Sequence, residues 1–119
     1  MKLVTKNGGL FLFPLNQLCI FEHNGRKIHC NVDLLIKDYK NKQAESVNVN
    51  EIFRSNNIVN TEYAMKTDIS SPVIIVHFDD GTYEILDGNH RLFRAVHEGQ
   101  LQIMAHILNQ LELDKYIIN

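Results

Sequence analysis

Asp87, Gly88, Asn89, His90 and Arg91 stand consecutively inside "EILDGNHRLFRAVHEG" (residues 84–99), where an apolar run gives way to a helical pattern. A chain that leaves a strand and opens a helix there presents backbone N–H groups at the positive end of the helix dipole, the make-up of an anion site. Gly88 lets backbone approach a ligand without a Cβ, Asn89 can cap the helix, and His90 and Arg91 add side-chain donors, the guanidinium fork being suited to phosphate oxygens. Gly88, Asn89, His90 and Arg91 are therefore the candidate phosphate-binding residues. Asp87 and His90 are the candidates for a chemical step. Asp87, at the carboxyl end of its strand, either holds a magnesium ion that bridges phosphates or acts as a base. The same residues have a purely architectural reading: Asp-Gly-Asn is ordinary turn chemistry, Asp87 can cap the helix, and Arg91 can pair with Glu84 or Asp87 to pin the corner.

The elements that position this corner follow from patterning. The apolar run "VIIVHF" (73–78) reads as a buried strand, Asp80-Gly81 as a hairpin turn and residues 82–86 as the returning strand, a two-residue loop pairing Phe78 with Tyr83 and His77 with Glu84. The next segment reads as a helix over residues 90–98, with Leu92, Phe93 and Val96 on one face, Arg94 four residues before Glu98, and Gly99 at the stop. "IMAHIL" (103–108) is then a third strand, and strand, crossover helix, strand implies a parallel connection. Upstream, Asn24-Gly25 marks a hairpin between residues 18–21 and 27–32, in which Cys19 faces Cys30 at a hydrogen-bonded position. That spacing permits a disulfide, while a reducing compartment makes the pair small core hydrophobes. His23 and His29 on this hairpin lack a metal-ligand repeat and carry a weak zinc signal.

Residues 33–46 read as a short polar helix or loop, residues 47–49 as a short strand feeding a turn or helix start at Asn50, and Ile58, Val59, Ala64 and Met65 as an imperfect helical stripe. The tail "LELDKYIIN" is either a closing helix turn or an edge strand. The fold class expected is α+β, a small mixed sheet with a hairpin followed by a β-α-β corner. Residues 1–45 form an N-terminal hairpin extension packed on the same domain as residues 46–119.

With 119 residues, 45% hydrophobic and 22% charged, the chain fits one domain with one core. A net charge of -2 gives no general attraction for DNA or an anionic membrane, so DNA contact would need a local patch. The apolar run "LFLFPL" near the N-terminus is interrupted by Gly8, Gly9 and Pro14 and reads poorly as a signal peptide, and nothing approaches the length of a membrane span. A cytoplasmic protein is expected.

Residues 67–108, carrying "DGNHR" between a hairpin and a helix, resemble the ParB/sulfiredoxin-like domain superfamily, whose members carry a Gly-x-x-Arg or Asp-Gly-x-His-Arg motif there. The resemblance implies that Gly88, Asn89, His90 and Arg91 hold the phosphates of a nucleoside triphosphate, ATP or CTP, with magnesium, and that hydrolysis or phosphoryl transfer is the reaction class. Departures narrow it. Asn89 stands where sulfiredoxin-like members have their catalytic Cys, and the chain ends at Asn119 without the helix-turn-helix of the DNA-clamping partitioning members. Kinase members that phosphorylate free serine share the acid of the corner, matching Asp87, whereas a nuclease would need an acid cluster that Asp79, Asp80 and Glu84 do not obviously form. In relatives the segment matching "KTDISS" lies over the nucleotide, which makes Lys66, Thr67 and Ser70 further donors, although Asp68 also serves to turn the chain before Pro72. The rival reading is a non-enzymatic interaction module that captures a protein partner through the hairpin of residues 18–32.

Overall fold

Two antiparallel ladders precede the main sheet: β1 (Lys2–Lys6) pairs with β2 (Gly9–Phe13), and β3 (Leu18–His23) pairs with β4 (Arg26–Asn31). The structure, a computed structural model, describes residues 2–6, 9–13, 18–53, 61–65 and 70–118. Asn24 and Gly25 take positive φ values of 53° and 77°, as a two-residue hairpin twisting with its strands demands, and the register sets Cys19 opposite Cys30 as expected. Both cysteines are free thiols. The first ladder was not foreseen in the sequence pattern.

Helix α1 (Val32–Tyr39) follows β4 directly, with the Asn31 side chain accepting from the Leu34 N–H. The segment 33–46, expected as a polar helix or loop, thus divides into the rest of this helix, which buries Val32, Leu35 and Tyr39, a turn, and the start of the next strand. Then come β5 (Glu45–Asn48), α2 (Val49–Ile52), α3 (Thr61–Ala64), β6 (Val73–His77), β7 (Tyr83–Asp87), α4 (Asn89–His97), β8 (Gln102–Asn109) and α5 (Gln110–Asp114). Of the expected stripe, Ala64 is buried at the end of α3, Met65 lies in the turn beyond it and is exposed, and Ile58 and Val59 lie outside the described residues. The tail takes both of its readings: α5 closes the chain, and Ile117 then bridges Cys30.

The main sheet runs β5–β8–β6–β7 and is mixed, which bears out the α+β class. β6 is parallel to β8 and antiparallel to β7. The parallel pair is therefore β6 with β8, and the helical connection leaving β7 crosses β6 rather than joining parallel neighbours. Covered on both faces, β6 needs an unbroken apolar sequence, and its first four residues are buried. Val73 and Ile75 pack with Ile85, Leu92, Ala95, Val49 and Ile52. Ile74 and Val76 pack on the other side with Phe21, Ile28, Cys30, Leu35, Leu108 and Leu113. The hairpin and α1 thus supply five of the twelve described residues buried on this side of the sheet: Phe21, Ile28, Cys30, Leu35 and Tyr39.

The β6–β7 hairpin corrects the expected register. Phe78 donates its N–H to the Thr82 carbonyl (2.9 Å) and Gly81 donates to the Phe78 carbonyl (2.9 Å), with Gly81 at φ 86°. The loop therefore has three residues, 79–81, with glycine in the left-handed position. Tyr83, not Glu84, lies opposite His77, and their rings stack at 4.4 Å, while Glu84 faces Val76. In α4, Leu92 and Ala95 are the buried residues and Val96 packs partly against them; Phe93, expected on that face, stacks on His97 at 4.1 Å. The expected Arg94–Glu98 ion pair is present at 3.1 Å. Gly99 and Gln100 donate to the Val96 and Ala95 carbonyls, the paired bonds that close a helix on a left-handed glycine.

Candidate functional site

The corner begins with a bulge. The β6–β7 register shifts between Ile74 and Ile75, so Asp87 stands opposite Ile74 rather than opposite Val73. Bulges re-aim side chains in this way. Gly88 follows at φ 108° and is the N-cap of α4, without a side-chain cap bond. A Cβ on Gly88 would fall 2.6 Å from Val73 Cγ1 and 3.2 Å from Arg91 Nη2. The missing side chain makes room for Val73, a packing reason for the glycine that stands beside the expected approach of a ligand. Asn89 is the first helical residue and not the cap, because the left-handed glycine turns the chain into the helix one residue earlier than expected.

Arg91 lies in the first turn of α4. Its Nη2 donates to Asp87 Oδ2 at 2.5 Å and its Nη1 to the Pro72 carbonyl at 2.9 Å. Asp87 is thus the carboxylate that pins the corner, and the Arg91 and Asp87 side chains are only 13% and 19% exposed. His90, the second candidate for a chemical step, is half-buried in the same turn. Of the further donors, Lys66 and Thr67, like Asp68, lie outside the described residues, and Ser70 is exposed in a turn.

The fold also brings a thiol to the corner from far away in the chain. Cys19 Sγ donates to the Ile85 carbonyl at 3.5 Å. Burial first, then Cys30, Glu84 and Asp87, push its pKa up to about 12, and burial raises Cys30 to about 11. These are unreactive thiols, consistent with core packing. The reach of the Asp87 charge to Cys19 was hidden in the sequence, because it depends on how the hairpin docks on β7.

The opposite end of β6 carries its own polar cluster. Asp80 accepts from the Thr82 N–H (3.0 Å) and hydroxyl (2.6 Å) and contacts His23 Nε2 at 3.0 Å. The bonds from Thr82 come first and those from His23 next in holding its pKa down at about 2. The His23 ring stacks on Phe78 at 3.6 Å, so the hairpin is latched to the β6–β7 loop. A cleft of about 500 Å³ opens beside it, lined by His77, Phe78, Asp79, Ile107, Asn109 and Glu112 among others. This is the carboxyl end of the parallel pair, where open sheets usually bind ligands. Asp87 is at the carboxyl end of β7, and that is the amino end of β6 and β8. The location argument from the sequence therefore does not carry over to the corner.

Among the described residues no three His, Cys, Asp or Glu side chains are grouped to hold a metal, and no helix is long and apolar enough to cross a membrane. A magnesium ion at the corner would have Asp87 as its protein carboxylate and phosphate oxygens and water for the rest. Comparisons of the chain with protein-family models, with curated proteins and with solved structures gave no match.

Proposed function

We propose that the 87–91 corner binds the phosphates of a nucleotide such as ATP or CTP. The observation that carries this reading is the start of α4: a nine-residue helix opens on a glycine with no capping side chain, and a guanidinium stands in its first turn. A Ser, Asp or Asn in that place would supply an acceptor from the protein. Here a ligand anion would take that place, on the positive end of the helix dipole. The resemblance of "DGNHR" to the nucleotide-binding motif of ParB/sulfiredoxin-like domains supports the same location. Hydrolysis or phosphoryl transfer extends the proposal, with Asp87 as base or magnesium carboxylate and His90 as a donor beside the phosphate.

The test is thermal melting of wild type and Arg91→Ala with ATP, ADP, CTP and GTP, each with and without magnesium. A ligand that binds only the folded state raises its apparent stability. An upward shift for one nucleotide, absent in Arg91→Ala, supports the site. No shift with millimolar ligand sinks it.

One observation favours the interaction module instead. Ile20 on the outer side of β3 is 52% exposed and lies opposite His29, whose carbonyl accepts from the N–H of Ile118, itself 51% exposed. An apolar outer face of this kind suits a protein partner. Because Phe21, Ile28 and Cys30 of the same hairpin are core, deletion would unfold the protein, and Ile20→Asp is the cleaner probe. Partner capture that is indifferent to nucleotide and lost in Ile20→Asp would favour this module.

A further inference from the structure

Resting on the phosphate reading, we infer that Asp87 is a resident counter-ion that the ligand must displace: Arg91 exchanges a carboxylate oxygen for a phosphate oxygen. The carboxylate is held 2.5 Å from Nη2 of a guanidinium in the first turn of α4, where the proposed anion would be bound. An oxyanion from the protein therefore already occupies the arm of the guanidinium that the phosphate would take, while the start of α4 keeps no capping side chain. The other arm of the fork, Nη1, is fixed independently on the Pro72 carbonyl at 2.9 Å. Arg91 thus stays aimed when Asp87 lets go, and exchange costs a side-chain rotation of Asp87 rather than a rearrangement of the helix.

Placement of the carboxylate depends on a specific backbone feature, since the bulge between Ile74 and Ile75 is what brings Asp87 opposite Ile74. After exchange the freed carboxylate remains beside the bound phosphate, and like charges at that distance weaken the complex unless a cation stands between them. Asp87 therefore sets the affinity in two ways, as competitor and as neighbour. Magnesium relieves the second.

Isothermal titration with inorganic pyrophosphate and with ATP, at one fixed salt concentration, tests this on wild type, Asp87→Asn, Asp87→Ala and Arg91→Ala. Two Asp87 variants are used so that a folding defect in one does not remove the test, and melting first confirms which are folded. Without magnesium, both Asp87 variants should bind about tenfold more tightly than wild type, the scale on which one charge-assisted hydrogen bond is won or lost. Magnesium should tighten wild type more than Asp87→Asn, which has no carboxylate for the ion to bridge. Equal or weaker binding by the Asp87 variants, with Arg91→Ala still abolishing it, overturns the exchange and leaves the phosphate site standing. No binding by wild type or by either Asp87 variant overturns the phosphate site itself.

Discussion

Replacing Gly88 with Ala should be among the most damaging single-methyl additions in this protein. The new Cβ would lie 2.6 Å from Val73 Cγ1 and 3.0 Å from Val73 Cβ, and Val73 is 0% exposed in the core, so it has no open side to move towards. Overpacking of this kind costs about 1–3 kcal/mol. The backbone adds its own penalty, because φ at 108° is left-handed space that costs an L side chain about 1–2 kcal/mol. The sum is about 2–5 kcal/mol, which at about 4 °C per kcal/mol for a chain of 119 residues lowers Tm by about 8–20 °C.

Urea unfolding followed by circular dichroism measures the loss, and a double-mutant cycle with Val73→Ala separates its parts. Trimming Val73 removes Cγ1 and keeps Cβ, so the larger part of the overpacking should return as a coupling of up to about 3 kcal/mol, while the backbone share and the Cβ contact stay. A Gly88→Ala protein within about 1 kcal/mol of wild type would refute the reasoning. So would a strictly additive cycle, since either result means that Val73 does not press on this position.

Three other outcomes are expected. His106 is buried beside the Tyr39 ring (5.5 Å), and burial, with Lys42 adding to it, lowers its pKa against an opposing backbone bond with Gln43. Above the ordinary value near 6.5 the imidazole is neutral in both states. Below it the unfolded chain takes up a proton first, so stability falls on acidification. Tm should drop more between pH 7.5 and 5.5 for wild type than for His106→Gln, and equal slopes would count against the buried neutral imidazole. With thiol pKa values of about 12 and 11, Cys19 and Cys30 should be at most about one part in a thousand thiolate at pH 8, so maleimide labels them far more slowly in native than in urea-unfolded protein. Comparable rates would place the thiols at the surface. Asn109 caps α5 reciprocally with Glu112, through bonds of 2.8 and 3.0 Å, and Asn109→Ala should cost about 1 kcal/mol by urea titration. No measurable change would mean that α5 does not depend on its cap.

What was legible in the sequence was what local chemistry decides. Asn24-Gly25 accepts the positive φ at two successive residues that few pairs tolerate, and this fixed the hairpin and the Cys19–Cys30 register. The apolar run of residues 73–78 signalled a buried strand, and Gly99 the end of α4. Positions were lost where a loop could close in more than one way. Asp80-Gly81 reads as a two-residue turn, but Phe78 pairs with Thr82 and closes a loop of three residues, which moves the partners of His77, Val76 and Ile75 by one until the bulge returns Ile74 to Asp87. Long-range placement was not legible either: nothing local says that β8 will lie beside β6, that Cys19 will feel Asp87, or that Val73 will occupy the space over Gly88. At the corner the sequence offered two partners for Arg91, Glu84 and Asp87, and only packing could show that it holds Asp87.

That choice decides which experiment is informative. Gly88 is required by Val73, and Arg91 ties together the end of β7, the start of α4 and the residue before β6. A variant at either position loses stability whether or not a ligand exists; leaving the Pro72 carbonyl and the Asp87 carboxylate without Arg91 costs on the order of 1–3 kcal/mol through unsatisfied partners alone. Loss of binding in Arg91→Ala therefore locates the ligand at the corner but does not separate a lost contact from a disturbed corner. Asp87→Asn separates the two, because it weakens the same ion pair yet removes a competing charge. A corner that serves only as architecture becomes less stable and gains nothing, whereas a phosphate site becomes less stable and binds more tightly. A fall in Tm together with a rise in affinity, measured on the same protein, is an outcome that scaffolding alone has no means to produce.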